Sequence, residues 1–126
     1  MPNVRHPDRL GLHLRVVLRD RAGHAVAVGP GKADLLEAIG ETGSIAAAGR
    51  RLGMSYKRAW SLVETLNAMF RGPLVDAAKG GARGGGAVLT PLGVKILAAY
   101  RTLEVQSARA GQAPLGIIRR AIEAEK

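Results

Sequence analysis

The chain has 126 residues, which suits one domain with a modest core and is too short for two substantial ones. It carries 19 Lys and Arg against 10 Asp and Glu, a net charge of +9, with 47% hydrophobic residues. That excludes a disordered polyelectrolyte and favours a folded domain with a polyanionic partner. The absence of Cys excludes disulfides and thiolate metal sites, and no run of about 18 apolar residues is present to span a membrane.

Residues 1–10 hold two Pro and mixed charge, read as a flexible arm, and lack the apolar centre of a signal peptide. From Leu12 to Arg19 the chain is apolar at 12, 14, 16 and 18, the period-two pattern of a half-buried strand. Asp20 to His24 reads as a turn and Ala25 to Val28 as the returning strand of an N-terminal hairpin.

A helix follows, with Leu35, Leu36 and Ile39 on one face and Asp34 and Glu37 early in it. Asp34, Glu37 and Glu41 share one helical side, which is expected to be a solvated face. Gly43 is a stop and Ser44 an N-cap for the next helix, where Ile45, Ala48 and Leu52 recur at i, i+3 and i+7 and Gly53 ends the run. A third helix starts at Ser55, with Ala59, Leu62, Val63, Leu66 and Phe70 as its apolar stripe. Gly72 and Pro73 break it.

Two short strands, LVDAA and AVLT, flank the Gly-rich stretch KGGARGGG. Thr90 then Pro91 reads as N-cap and N1 of a helix running to about Ser107. Its Leu92, Ile96, Leu97, Tyr100 and Leu103 form an apolar side that is long for so small a domain, and dimerisation is expected there. Residues 110–114 read as a linker to a short terminal helix.

The order of these elements is that of a winged helix-turn-helix, an α+β fold that is mainly helical, with an N-terminal β-hairpin and a C-terminal dimerisation helix. Residues 11–108 make up this domain and 109–126 the linker and terminal helix. Gly49 supplies the small residue where the two helices of the motif approach, and Gly53 opens the turn. With the apolar stripe turned inward, the third helix shows Tyr56, Lys57, Arg58, Ser61 and Thr65.

Its N-terminal end, Ser55 to Arg58, is expected to enter the major groove of double-stranded DNA, where Arg and Lys pair with guanine. Fourteen of the nineteen cations are Arg, the side chain suited to forked contacts. Arg50 and Arg51 either hold the DNA backbone or complement the dipole of the second helix, and Ser44 joins the expected contact set. In the wing, Lys79 and Arg83 supply charge while the glycines let the backbone approach a phosphate. Trp60 is expected to pack rather than stack on bases.

Enzyme readings find little. GK occurs only at Gly31-Lys32, followed by Ala33, so no Walker loop exists. His6, His13 and His24 lack metal-ligand spacing. No enzyme activity, metal or cofactor is expected.

The text GSIAAAGRRLGMSYKRAW, the Asn of ETLN, then GGARGGGAVLT and Gly93 resembles the N-terminal domain of the molybdate-responsive transcription regulator family, ModE. It is more distantly similar to LysR-type DNA-binding domains, which share the Leu-x-x-Ser of AGRRLGMS. The resemblance covers residues 12–108. It implies a dimeric, sequence-specific regulator of molybdenum-related genes, in the bacterial cytoplasm with the nucleoid, with Ser55, Tyr56, Lys57, Arg58 and Ser61 on the recognition helix and Lys79 to Gly86 in the wing. Members that sense molybdate do so through C-terminal oxyanion-binding β-domains. Residues 109–126 are too few to build one, so molybdate binding by this stretch is not expected. Two other readings stand beside this one: a dimerising module that modulates a full-length regulator, and a nonspecific nucleoid DNA-binding protein.

Overall fold

A computed structural model describes residues 12–77 and 86–123. The chain opens with strands β1 (Val16–Arg19) and β2 (Ala25–Val28), paired antiparallel from Val16 opposite Val28 to Arg19 opposite Ala25. Gly23 takes a φ of 92° in the connecting turn, and Asp20 Oδ1 accepts from the His24 amide at 2.9 Å. The strand is shorter than the alternation at 12, 14, 16 and 18 predicts, and Leu18 is 66% exposed. At the open end of the hairpin Val16 and Val28 pack with Ala33 and Tyr100, and further out Leu18 and Val26 line an apolar cleft with Phe70, Ile96 and Leu103.

Helix α1 (Pro30–Thr42) starts at a Pro, whose missing N–H costs nothing there, and ends at Gly43 in the left-handed region at φ 73°. It is the core helix, burying Ala33, Leu35, Leu36, Ala38 and Ile39. Helix α2 (Ile45–Arg51) and helix α3 (Tyr56–Met69) cover it through Ile45, Ala48, Ala59, Val63 and Leu66. Leu74, Val75 and Ala87 close the same core from strands β3 (Val75–Ala77) and β4 (Ala87–Leu89) and the residue before them. These strands pair antiparallel, Val75 opposite Leu89 and Ala77 opposite Ala87.

Helix α4 (Pro91–Ala110) is capped by Thr90, whose Oγ1 accepts from the Gly93 amide at 2.9 Å. The expected linker at 110–114 is not one. Helix α4 runs to Ala110, and α5 (Gln112–Glu123) begins after the single residue Gly111. Pro114 falls in the first turn of α5, where no intrahelical N–H is required, so it does not interrupt the helix.

The acidic side of α1 is also not a solvated face. Arg101 of α4 reaches Asp34 Oδ1 at 2.8 Å, Glu37 Oε1 at 3.0 Å and Glu104 Oε1 at 3.0 Å, all with side chains at most 27% exposed. Glu41 pairs with Arg51 of α2. Burial works against the charge on Arg101, and the hydrogen bonds it donates to Asp34 and Glu104 outweigh it, so its pKa is raised. One guanidinium thus clamps α4 to α1 across the chain. Beside it the Tyr100 hydroxyl donates to the Leu14 carbonyl, and burial, followed by the charge of Glu104, pushes its pKa up to about 12.

Candidate nucleic-acid interface

The interface is built on the turn between α2 and α3. Gly49 is buried, and a Cβ placed on it would meet the Ala59 Cβ at 3.2 Å and the Met54 carbonyl at 3.4 Å. Its carbonyl accepts from the amides of Leu52 at 3.1 Å and Met54 at 2.9 Å. Gly53 holds φ 72°, a conformation that a residue with a Cβ adopts only with strain. The two glycines therefore fix how closely α2 and α3 approach and at what angle, as the sequence predicts.

Both helices carry side-chain caps. Ser44 Oγ accepts from the Ala47 amide at 3.0 Å and Ser55 Oγ from the Arg58 amide at 3.1 Å. Replacing such a cap by Ala costs about 1 kcal/mol. Ser44 is half-buried, so its first duty lies within the fold; Ser55 is exposed at the tip of α3.

With Ala59, Val63 and Leu66 in the core, α3 turns Tyr56, Lys57, Arg58, Ser61 and Thr65 outward, all exposed. The charge along this face is asymmetric. Lys57 and Arg58 stand in the first turn, whereas the exposed Glu64 lies two turns on, and Thr65 Oγ1 is turned back onto the Ser61 carbonyl at 3.1 Å. The cationic end is therefore the N-terminal one, where the helix dipole also favours an anion. Arg50 and Arg51 are exposed in the last turn of α2. Arg51 is held by Glu41, which offsets part of its charge toward any phosphate.

The wing strands are locked to this helix by a residue to which the sequence reading assigned no role. Asn67, on α3, accepts at Oδ1 from the amides of Leu74 at 2.8 Å and Val75 at 3.0 Å, and its Nδ2 donates to the Val75 carbonyl at 3.0 Å. The Ala87 amide donates to the Gly43 carbonyl at 2.9 Å, tying β4 to the α1–α2 junction. Thr90 closes the base: its Oγ1 donates to the Pro73 carbonyl at 2.7 Å and its amide to the Leu74 carbonyl at 2.9 Å. Gly93 completes the joint, since a Cβ there would lie 2.1 Å from the Leu74 carbonyl oxygen. Lys79 and Arg83 lie outside the described residues, as does the arm at 1–10.

The side of α4 expected to form a dimer seam is in part covered within the single chain. Leu92, Ile96 and Leu97 pack on the chain's own core and Tyr100 is buried in the hairpin cluster; of the five, Leu103 is exposed, at 40%. The small domain needs this side of α4 to finish its own interior. Apolar surface is also exposed on α5, at Ile117, Ile118 and Ile122.

Comparison with known proteins agrees with this geometry. The model of the family described as bacterial regulatory helix-turn-helix protein, lysR family, matches residues 32–94. The chain is similar to the molybdenum-pterin-binding protein MopB of Rhodobacter capsulatus, 48% identical over 95 residues that cover 75% of this chain and 34% of that protein. It is similar to the molybdenum transport protein ModE of Herbaspirillum seropedicae, 46% identical over 70 residues, 56% of this chain and 26% of that one. The DNA-binding transcriptional dual regulator ModE of Escherichia coli (strain K12) is 39% identical over 74 residues, 59% of this chain and 28% of that one. The chain thus spans between about a quarter and a third of the length of these curated relatives.

Proposed function

The chain belongs to the lysR family of bacterial regulatory helix-turn-helix proteins, and from that premise we propose that it is a sequence-specific regulator of transcription of the ModE type, acting on molybdenum-related genes. In this reading α3 enters the major groove by its N-terminal turn, Lys57 and Arg58 reach base edges or phosphates, and Arg50 with the wing holds the backbone. The observation that carries it is the exposed first turn of α3, cationic and capped, on a frame fixed by Gly49, Gly53 and Asn67. The molybdenum link is supported by the relatives, which are named for molybdenum transport and molybdenum-pterin binding.

The chain acts as a homodimer in this proposal, presenting two copies of α3 to half-sites about 34–36 Å apart. Because most of the α4 side is spent on the core, the seam is assigned to α5 and the exposed end of α4, where Leu103, Ile117, Ile118 and Ile122 are available.

Selection of duplexes from a randomised library by the full chain tests the reading. Arg58→Ala should relax sequence choice at one position per half-site, a loss of about 1–3 kcal/mol in discrimination. Arg50→Ala should weaken all duplexes alike. If the two variants exchange behaviours, the assignment of reader and clamp is wrong. Genome-wide mapping of bound sites should place peaks at molybdenum-related operons; peaks confined to unrelated genes would remove the molybdenum part.

A further inference from the structure

Tyr56 and Trp60 form a pair whose geometry is more specific than packing requires. They sit one helical turn apart on α3, with ring centroids 6.2 Å apart and planes at 79°, an edge-to-face contact. Trp60 is half-buried and packs against the main core, whereas Tyr56 is 58% exposed at the tip of the helix. Helical side chains lean toward the N-terminus, so the indole lies over the turn that carries Tyr56. A fixed ring thereby braces an exposed one. Edge-to-face pairs are favoured beyond their buried area, and a Tyr has only two side-chain torsions to restrict.

The neighbours of Tyr56 are different in kind. Lys57 and Arg58 are long, flexible hydrogen-bond donors, suited to guanine or phosphate. A braced aromatic ring at the same tip presents apolar surface, and the edges of the bases in the major groove carry one apolar group, the C5 methyl of thymine. We propose that Tyr56 reads a thymine methyl in each half-site and that Trp60, which touches no DNA, is the residue that positions it. This deepens the assignment of α3 as the base-reading helix and rests on it.

The test uses the full chain and a duplex selected by it from a randomised library. Each thymine is replaced in turn by uracil, which removes the methyl group and leaves base pairing intact. At one position per half-site the unaltered protein should bind the uracil duplex about fourfold more weakly, equivalent to about 0.8 kcal/mol for one apolar carbon. Tyr56→Phe should keep that ratio, because the ring and not the hydroxyl is the reader. Tyr56→Ala should abolish it.

Trp60→Phe should shrink the ratio by at least half while leaving affinity for the uracil duplex within twofold, a pattern that loss of folding cannot mimic. Because Trp60 is part of the packed interior, the uracil scan on the unaltered chain stands independently of that variant. Specific binding with no uracil-sensitive position overturns the proposal, as does a ratio lost in Tyr56→Phe. A ratio unchanged in Trp60→Phe overturns the positioning role. Failure to select any preferred duplex is a different result, and it removes the α3 reading on which the proposal rests.

Discussion

Asn67 is the place where the fold and the interface depend on one side chain. Asn67→Ala leaves the amides of Leu74 and Val75 and the Val75 carbonyl without the partners they have at 2.8 to 3.0 Å. Leu74 is 0% and Val75 2% exposed, so solvent reaches these groups only through the hole left by the missing amide. An orphaned buried polar group costs about 1–3 kcal/mol, and partial rescue by entering water brings the expected loss to about 2–4 kcal/mol for the set. For a domain of this size that is a fall in Tm of roughly 6–20 °C. Asn67→Asp keeps the acceptor for both amides but turns an oxygen toward the Val75 carbonyl, so an intermediate loss of about 1–2 kcal/mol is expected. Thermal unfolding by circular dichroism measures both, and hydrogen exchange locates the change: the Leu74 and Val75 amides should exchange faster while those of α1 keep their protection. An Asn67→Ala protein melting within 2 °C of the parent would falsify the anchoring role.

Gly93→Ala would put a Cβ 2.1 Å from the Leu74 carbonyl oxygen, which is backbone and cannot swing aside. A loss of more than about 3 kcal/mol is expected by denaturant titration, and a near-neutral variant would contradict the close approach. Arg101→Met leaves Asp34, Glu37 and Glu104 clustered without their shared cation, and should cost about 2–3 kcal/mol after allowance for partial exposure. For Tyr100 the folded pKa is raised from 10.0 to about 12, so folding favours the neutral phenol. That preference is complete below pH 10 and is lost as pH rises through 12. The parent should therefore lose stability relative to Tyr100→Phe between pH 10 and 12; parallel curves would show that the hydroxyl is not held neutral by the fold.

Local signals were legible in the sequence because their causes are local. A Gly needed at positive φ, Ser and Thr before a helical run, and Pro after Thr90 each act within one turn, and Gly43, Gly53, Ser44, Ser55 and Thr90 do what their positions predict. The exposed face of α3 followed from the same logic, since its apolar stripe fixes which side is left. What escaped was set by distant chain. Asp34 and Glu37 read as a solvated side because their partner, Arg101, lies more than sixty residues downstream. The role of Asn67 depends on where the backbone at 74–75 passes, and that of Gly93 on the Leu74 carbonyl resting against it. The apolar side of α4 is the same pattern whether it meets a partner or the chain's own core, and periodicity does not distinguish the two.

The most direct measurement is the dissociation constant of the full chain for its selected duplex and for a scrambled duplex of equal length, across 50 to 200 mM salt. Docking of α3 in the major groove predicts binding to the selected duplex tighter by about 10³ or more. It also predicts a loss of roughly 10³–10⁵ in affinity across that salt range if six to ten phosphates are neutralised. Equal affinity for the two duplexes, or a flat salt response, contradicts it.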